Sequence, residues 1–111
     1  MNTNFVSVAI GAWALALSLL NGCAAADCES VCLEAQARAC TVITNCNTFC
    51  SDVNTLADNA GCRAEADALD RCSTSVDACE VDARCGGEEN ALASCAVPYC
   101  LANPGARECQ L

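Results

Sequence analysis

Thirteen cysteines in 111 residues, with no histidine and no lysine, set the chemistry open to this chain. A nucleophilic cysteine or serine needs a base beside it; with histidine absent and no G-x-S-x-G motif present, covalent catalysis has no machinery here. No two cysteines stand in a C-x2-C pair, which removes the usual sign of dithiol exchange and of a zinc ribbon. Cys28 and Cys32, and again Cys46 and Cys50, form C-x3-C pairs whose side chains leave one face of a helix nearly parallel. A bridge within such a pair is strained, so each of these cysteines should find its partner on another element. The alternative chemistry is copper(I), a soft ion that suits clustered thiolates.

The carboxylates offer less. Glu65 with Asp67, and Glu88 with Glu89, could form acid/base pairs, but their spacing fits a solvated helix face. Glu80-Val81-Asp82 lacks the further oxygen ligands and the glycine of a calcium loop. Neither an enzyme nor a resident cofactor is expected. All 14 acidic residues and all five arginines follow Ala26, giving that part the whole net charge of −9. Such a surface repels phosphates and anionic lipid, which argues against nucleic acid as a partner.

The first 26 residues carry no charge, and Phe5 to Leu20 is an apolar run broken only by Ser and Gly. Asn21 and Gly22 end it short of the roughly 20 residues that a membrane span wants, and the segment reads as a secretory leader. Within it, Leu20-Asn21-Gly22-Cys23 resembles the lipobox of bacterial lipoproteins. The resemblance implies that residues 1–22 are a signal peptide, that the Cys23 thiol is acylated, and that 23–26 are a lipidated N-terminus and short linker. Two other outcomes remain open: an ordinary cut after Ala24-Ala25-Ala26, and an uncleaved anchor.

Cysteine parity fits either cut. Thirteen is odd, and losing or acylating Cys23 leaves Cys28, Cys32, Cys40, Cys46, Cys50, Cys62, Cys72, Cys79, Cys85, Cys95, Cys100 and Cys109, enough for six bridges. Their pairing stays open, since 12 cysteines allow about ten thousand arrangements. Beside them residues 27–111 hold much Ala and only 15 larger apolar residues, such as Leu33, Ile43, Phe49, Leu56, Leu69, Leu92 and Tyr99. A core that thin calls for covalent staples.

The elements that must carry these cysteines are helical. Asp27 to Thr41 is rich in good helix formers, with acids early and Arg late. Asn45 to Asn59 spaces Cys46, Cys50, Val53 and Leu56 by threes and fours, with Gly61 to close it. Cys62 to Cys72 reads as a third helix. Thr74 to Asp77 looks like a cap opening a short helix that ends at Gly86-Gly87, and Glu88 to Ala96 makes a last helix stopped near Pro98. The remaining tail reads as a loop stapled back onto the body.

"CRAEADALDRC" and "CGGEENALASC" form a weak repeat, C-x2-E-x2-A-L-x2-C, and Cys40 to Cys50 shares its C-x9-C spacing. Ten helical steps advance about 15 Å and turn the second cysteine roughly 80° from the first, so both can face one neighbouring helix. This geometry is similar to that of the twin C-x9-C proteins of the mitochondrial intermembrane space, helical hairpins cross-linked by two disulfides. The C-x3-C pairs resemble those of exported bacterial copper storage proteins, which are helical bundles. Leader and repeats together resemble small cysteine-rich bacterial lipoproteins, mostly of unknown activity.

The expectation is an all-α domain over 27–111, a small disulfide-rich bundle or stack of helical hairpins with four to five short helices. It would be held to the membrane of a bacterial cell envelope, at the outer membrane or cell surface, through lipid on Cys23, and would serve as a structural or protein-interaction module with a possible protein partner there. The rivals are a copper(I) storage protein and a freely secreted effector, inhibitor or signalling protein.

Overall fold

The computed structural model describes residues 27–111; the expected leader, Cys23 and the short linker lie outside them. The described residues form α1 (Asp27–Ala37), α2 (Cys46–Ala60), α3 (Arg63–Ser75), α4 (Val81–Arg84), α5 (Gly86–Ala102) and a closing 3-10 turn, Arg107–Cys109, with no strand among them. The all-α expectation holds, and the differences lie at helix ends.

Helix α1 stops four residues before the expected Thr41, because Ala39 turns left-handed at φ 55° and the Cys40 amide closes onto the Ala35 carbonyl at 3.0 Å. Helix α2 opens on Asn45, whose side chain accepts from the Thr48 amide at 3.0 Å. It closes at Gly61, φ 71°, with the Cys62 amide 2.8 Å from the Ala57 carbonyl. Both closures satisfy carbonyls that a helix end leaves bare, and each delivers a cysteine at once to another element.

Three expectations fail further along. Thr74 and Ser75 do not cap a new helix; they finish α3, their hydroxyls donating to the Arg71 and Cys72 carbonyls. Asp77 instead closes the turn that leads to α4, its Oδ1 accepting from the Cys79 amide at 2.9 Å, and the short helix opens at Glu80 without a side-chain cap. Gly86 and Gly87 open α5 rather than ending its predecessor, since the buried Cys85 anchors the chain and its carbonyl accepts from the Glu89 amide at 2.9 Å. Helix α5 also runs through Pro98 to Ala102. Pro98 costs one backbone hydrogen bond, but it faces solvent, while Cys95 and Cys100 on either side are tied to other elements.

All 12 cysteines among the described residues are paired. Cys28–Cys50 and Cys32–Cys46 join α1 to α2, with each C-x3-C pair bridged to the other rather than to itself. Cys62–Cys95 and Cys72–Cys85 join α3 to α5, so the two C-x9-C repeats pair first with last and inner with inner. The third C-x9-C spacing splits, Cys50 to Cys28 and Cys40 to Cys79. Cys40–Cys79 is the one bridge between the N-terminal and C-terminal hairpins, and Cys100–Cys109 closes the tail.

The hairpins stack with α2 and α3 as their shared middle, α1 resting on both from one side and α5 from the other. Small residues let these helices approach: the closed core is Leu56, Ala57, Cys62, Ala66, Leu92 and Ala96. The tail, expected as a stapled loop, docks on α2 through a 3-10 turn. Glu108 accepts from the Tyr99 hydroxyl at 2.7 Å and from Asn59 at 3.2 Å, and Arg107 reaches Asp52 at 3.4 Å. One hydrogen bond moves two groups in opposite directions: it holds the Glu108 carboxyl below its usual range and the Tyr99 phenol above its own.

Candidate functional site

The sulfurs, first among the chemical candidates, are structural in this form. Cys62, Glu65 and Cys95 do bring ligand-type atoms within 4.8 Å of one another, but the two sulfurs belong to one disulfide and offer no thiolate. The same holds for the two C-x3-C pairs, whose four sulfurs make two bridges between α1 and α2.

The carboxylate pairs separate. Asp67 sits 3.9 Å from Arg63, which also binds Asp58 at 2.5 Å, an arrangement of surface charges along neighbouring helices. Glu65 lies beside the Cys62–Cys95 bridge instead. Glu89 does not pair with Glu88: it is half-buried and lies near Asp82 of α4. Burial, and then the charge and hydrogen bond of Asp82, hold the Glu89 carboxyl above its usual range. The sequence does carry a sign of this pair. Asp82 and Glu89 are seven apart, and across a nearly continuous helical path seven steps return to the same face.

Asp82 and Glu89 line a cavity of about 390 Å³ in the seam between the hairpins. Its walls are apolar: Val31 from α1, Ile43 from the following loop, Phe49 and Val53 from α2, and Leu69 from α3, all half-buried, with the buried Leu92 of α5 behind them. Residues read from the sequence as core, Ile43, Phe49 and Leu69, thus surround an open space, and Leu33, read the same way, is 51% exposed. Asp70 is the third carboxylate on the lining, and no arginine lies among it. Cavities of this size and character are the ordinary form of a small-molecule site.

What periodicity does not carry is the seam itself. An i, i+3, i+4 pattern says which side chains face inward on one helix, but whether facing helices meet or stand apart is decided by the bridges between them. Cys23, the expected lipid attachment point, lies outside the described residues. Among those residues no helix is long and apolar enough to cross a membrane. Comparison of the chain with protein-family models, with characterised proteins and with solved structures found no match.

Proposed function

We propose that the chain is an exported, lipid-anchored, cysteine-rich protein of the cell envelope, whose domain from residue 27 onward serves as a structural or protein-interaction module. The observation that carries this reading is the complete pairing of the 12 cysteines after Ala26. Six bridges in so small a domain belong to an oxidising compartment, extracellular or within an envelope. They also leave Cys23 as the single odd thiol, at the end of an apolar leader, where acylation would use it.

The bridges weigh against the copper(I) alternative, which needs those sulfurs reduced. Intact mass and a free-thiol assay on the natively processed protein test the proposal. An acyl mass on Cys23 with no free thiol is the expected result. A count of about 12 free thiols that take up copper would overturn it, following the soft-ligand chemistry of that metal. An unmodified amino terminus at Asp27 would replace the anchored protein with a freely secreted one.

A further inference from the structure

The cavity in the hairpin seam has three features that together specify a ligand. Its volume is about 390 Å³, and residues of all five helices line it. At about 30 Å³ for a group the size of a water molecule, this accommodates roughly a dozen methylene-sized groups, enough for one chain of about ten carbons. Second, Ile43, Phe49, Val53 and Leu69 remain half-buried around it, so a ligand would cover apolar surface that folding has left wet. Third, the charged part of the lining is acidic: beside the hydroxyls of Thr41 and Ser73, Asp70, Asp82 and Glu89 contribute carboxylates, and none of the five arginines is present.

We propose that this cavity binds a small single-chain amine, its alkyl chain of roughly ten carbons lying between the hairpins and its ammonium group meeting Asp82 and Glu89 at the rim. The charge arrangement discriminates. An ammonium group gains charge-assisted hydrogen bonds from the two carboxylates. A fatty acid of the same length brings a third negative charge against them. Burial, and then the nearby Asp82, raise the cost of ionising Glu89, and an incoming cation lowers that cost.

Isothermal titration calorimetry tests this on the oxidised, natively processed protein, with decylamine, decanol and decanoate each below its micelle concentration at neutral pH. The expected result is one decylamine per chain, bound at least about tenfold more tightly than decanoate, the factor that 1.4 kcal/mol of charge preference gives. The nearly isosteric double variant Asp82→Asn/Glu89→Gln should lose that preference while still binding decanol, its fold checked by circular dichroism. Equal affinity for amine and acid, an unchanged preference in the double variant, or no saturable binding by any of the three would overturn the proposal. So would a cavity that takes decylamine only after the acyl group on Cys23 is removed, since the chain's own lipid would then be the occupant. A dimer in which the site is closed would overturn it in the same way.

Discussion

Removing the Cys40–Cys79 bridge should cost more stability than removing any short-range staple, although both of its cysteines lie near the surface. It closes a loop with a sequence separation of 39. No other bridge offers a shorter route between its ends: Cys28–Cys50 and Cys32–Cys46 lead back into the first hairpin, and Cys62–Cys95 with Cys72–Cys85 form a detour as long as α3 itself. On the chain-entropy account a 40-residue loop is worth about 3.9 kcal/mol at 25 °C, and a 10-residue loop about 2.7 kcal/mol. The second figure applies to Cys100–Cys109, whose separation is 9. The Arg38–Asp77 ion pair beside Cys40–Cys79, 2.8 Å long, cannot replace the bridge, because its side chains are 46% and 44% exposed and solvent screens them.

The experiment compares Cys40→Ala/Cys79→Ala with Cys100→Ala/Cys109→Ala by urea unfolding, followed through helical circular dichroism, after intact mass has shown five bridges in each. The first variant should lose about 4 kcal/mol, a fall in Tm of roughly 15 to 30 °C for a domain of this size. It should exceed the second by about 1 kcal/mol. An equal loss, or a larger one in the tail variant, would refute the loop argument, since Cys100 and Cys109 are no less buried than Cys40 and Cys79 and their lost packing would then dominate.

Glu89→Gln should raise Tm at neutral pH and leave it unchanged near pH 4. Burial and Asp82 hold the Glu89 carboxyl above its usual 4.5, so the cost of its charge is absent below 4.5, grows as pH rises, and is complete above the raised folded value; a variant equally stable at both pH values would contradict this. Gly61→Ala should cost about 1 to 2 kcal/mol in urea unfolding, the ordinary penalty of a left-handed residue with a Cβ. Nothing lies within 4 Å of the added methyl, so a much larger loss would mean that the strain is not confined to the backbone. Pro98→Ala should stabilise the protein by up to about 3 kcal/mol by restoring a hydrogen bond inside α5. A destabilised variant would show that the helix needs the proline to bring Cys100 to Cys109.

The helices were legible where one residue type decided the outcome. Asn45 and Gly61 bound α2 as their chemistry predicts, and the repeat "CRAEADALDRC" with "CGGEENALASC" marked two helices that face each other. Local rules failed where a bridge overrode them. Gly86-Gly87 is a stop signal by composition, yet Cys85 is pinned to Cys72 just before it and the chain resumes a helix at once. Pro98 is a stop by the same reasoning, and the helix passes it between two tethered cysteines. Ala39 gives no sequence sign of a left-handed turn, whereas the Cys40–Cys79 link, which requires the chain to leave α1 there, is a contact across 39 positions. Of the candidate site, Glu89 was visible as an acid and Asp82 as part of a failed calcium loop, and the seven-residue spacing is the sign that joins them.

The same bridges account for the cavity. In a domain held together by apolar burial, half-buried Phe49, Val53 and Leu69 would be drawn together until the space between them closed, since every exposed square ångström of them opposes folding. Here the two walls are set separately. Cys28–Cys50 and Cys32–Cys46 hold α1 to α2, Cys62–Cys95 and Cys72–Cys85 hold α3 to α5, and the small core of Leu56, Ala57, Ala66, Leu92 and Ala96 fixes how the pairs stack. Once the helices are fixed at these points, the side chains in the seam cannot approach without breaking helix or bridge. A fold stabilised by six covalent links can therefore keep an apolar space open that a fold stabilised by its core would have to fill. Ile43, Phe49 and Leu69, which sequence alone assigns to the core, are left in the seam to recognise something else.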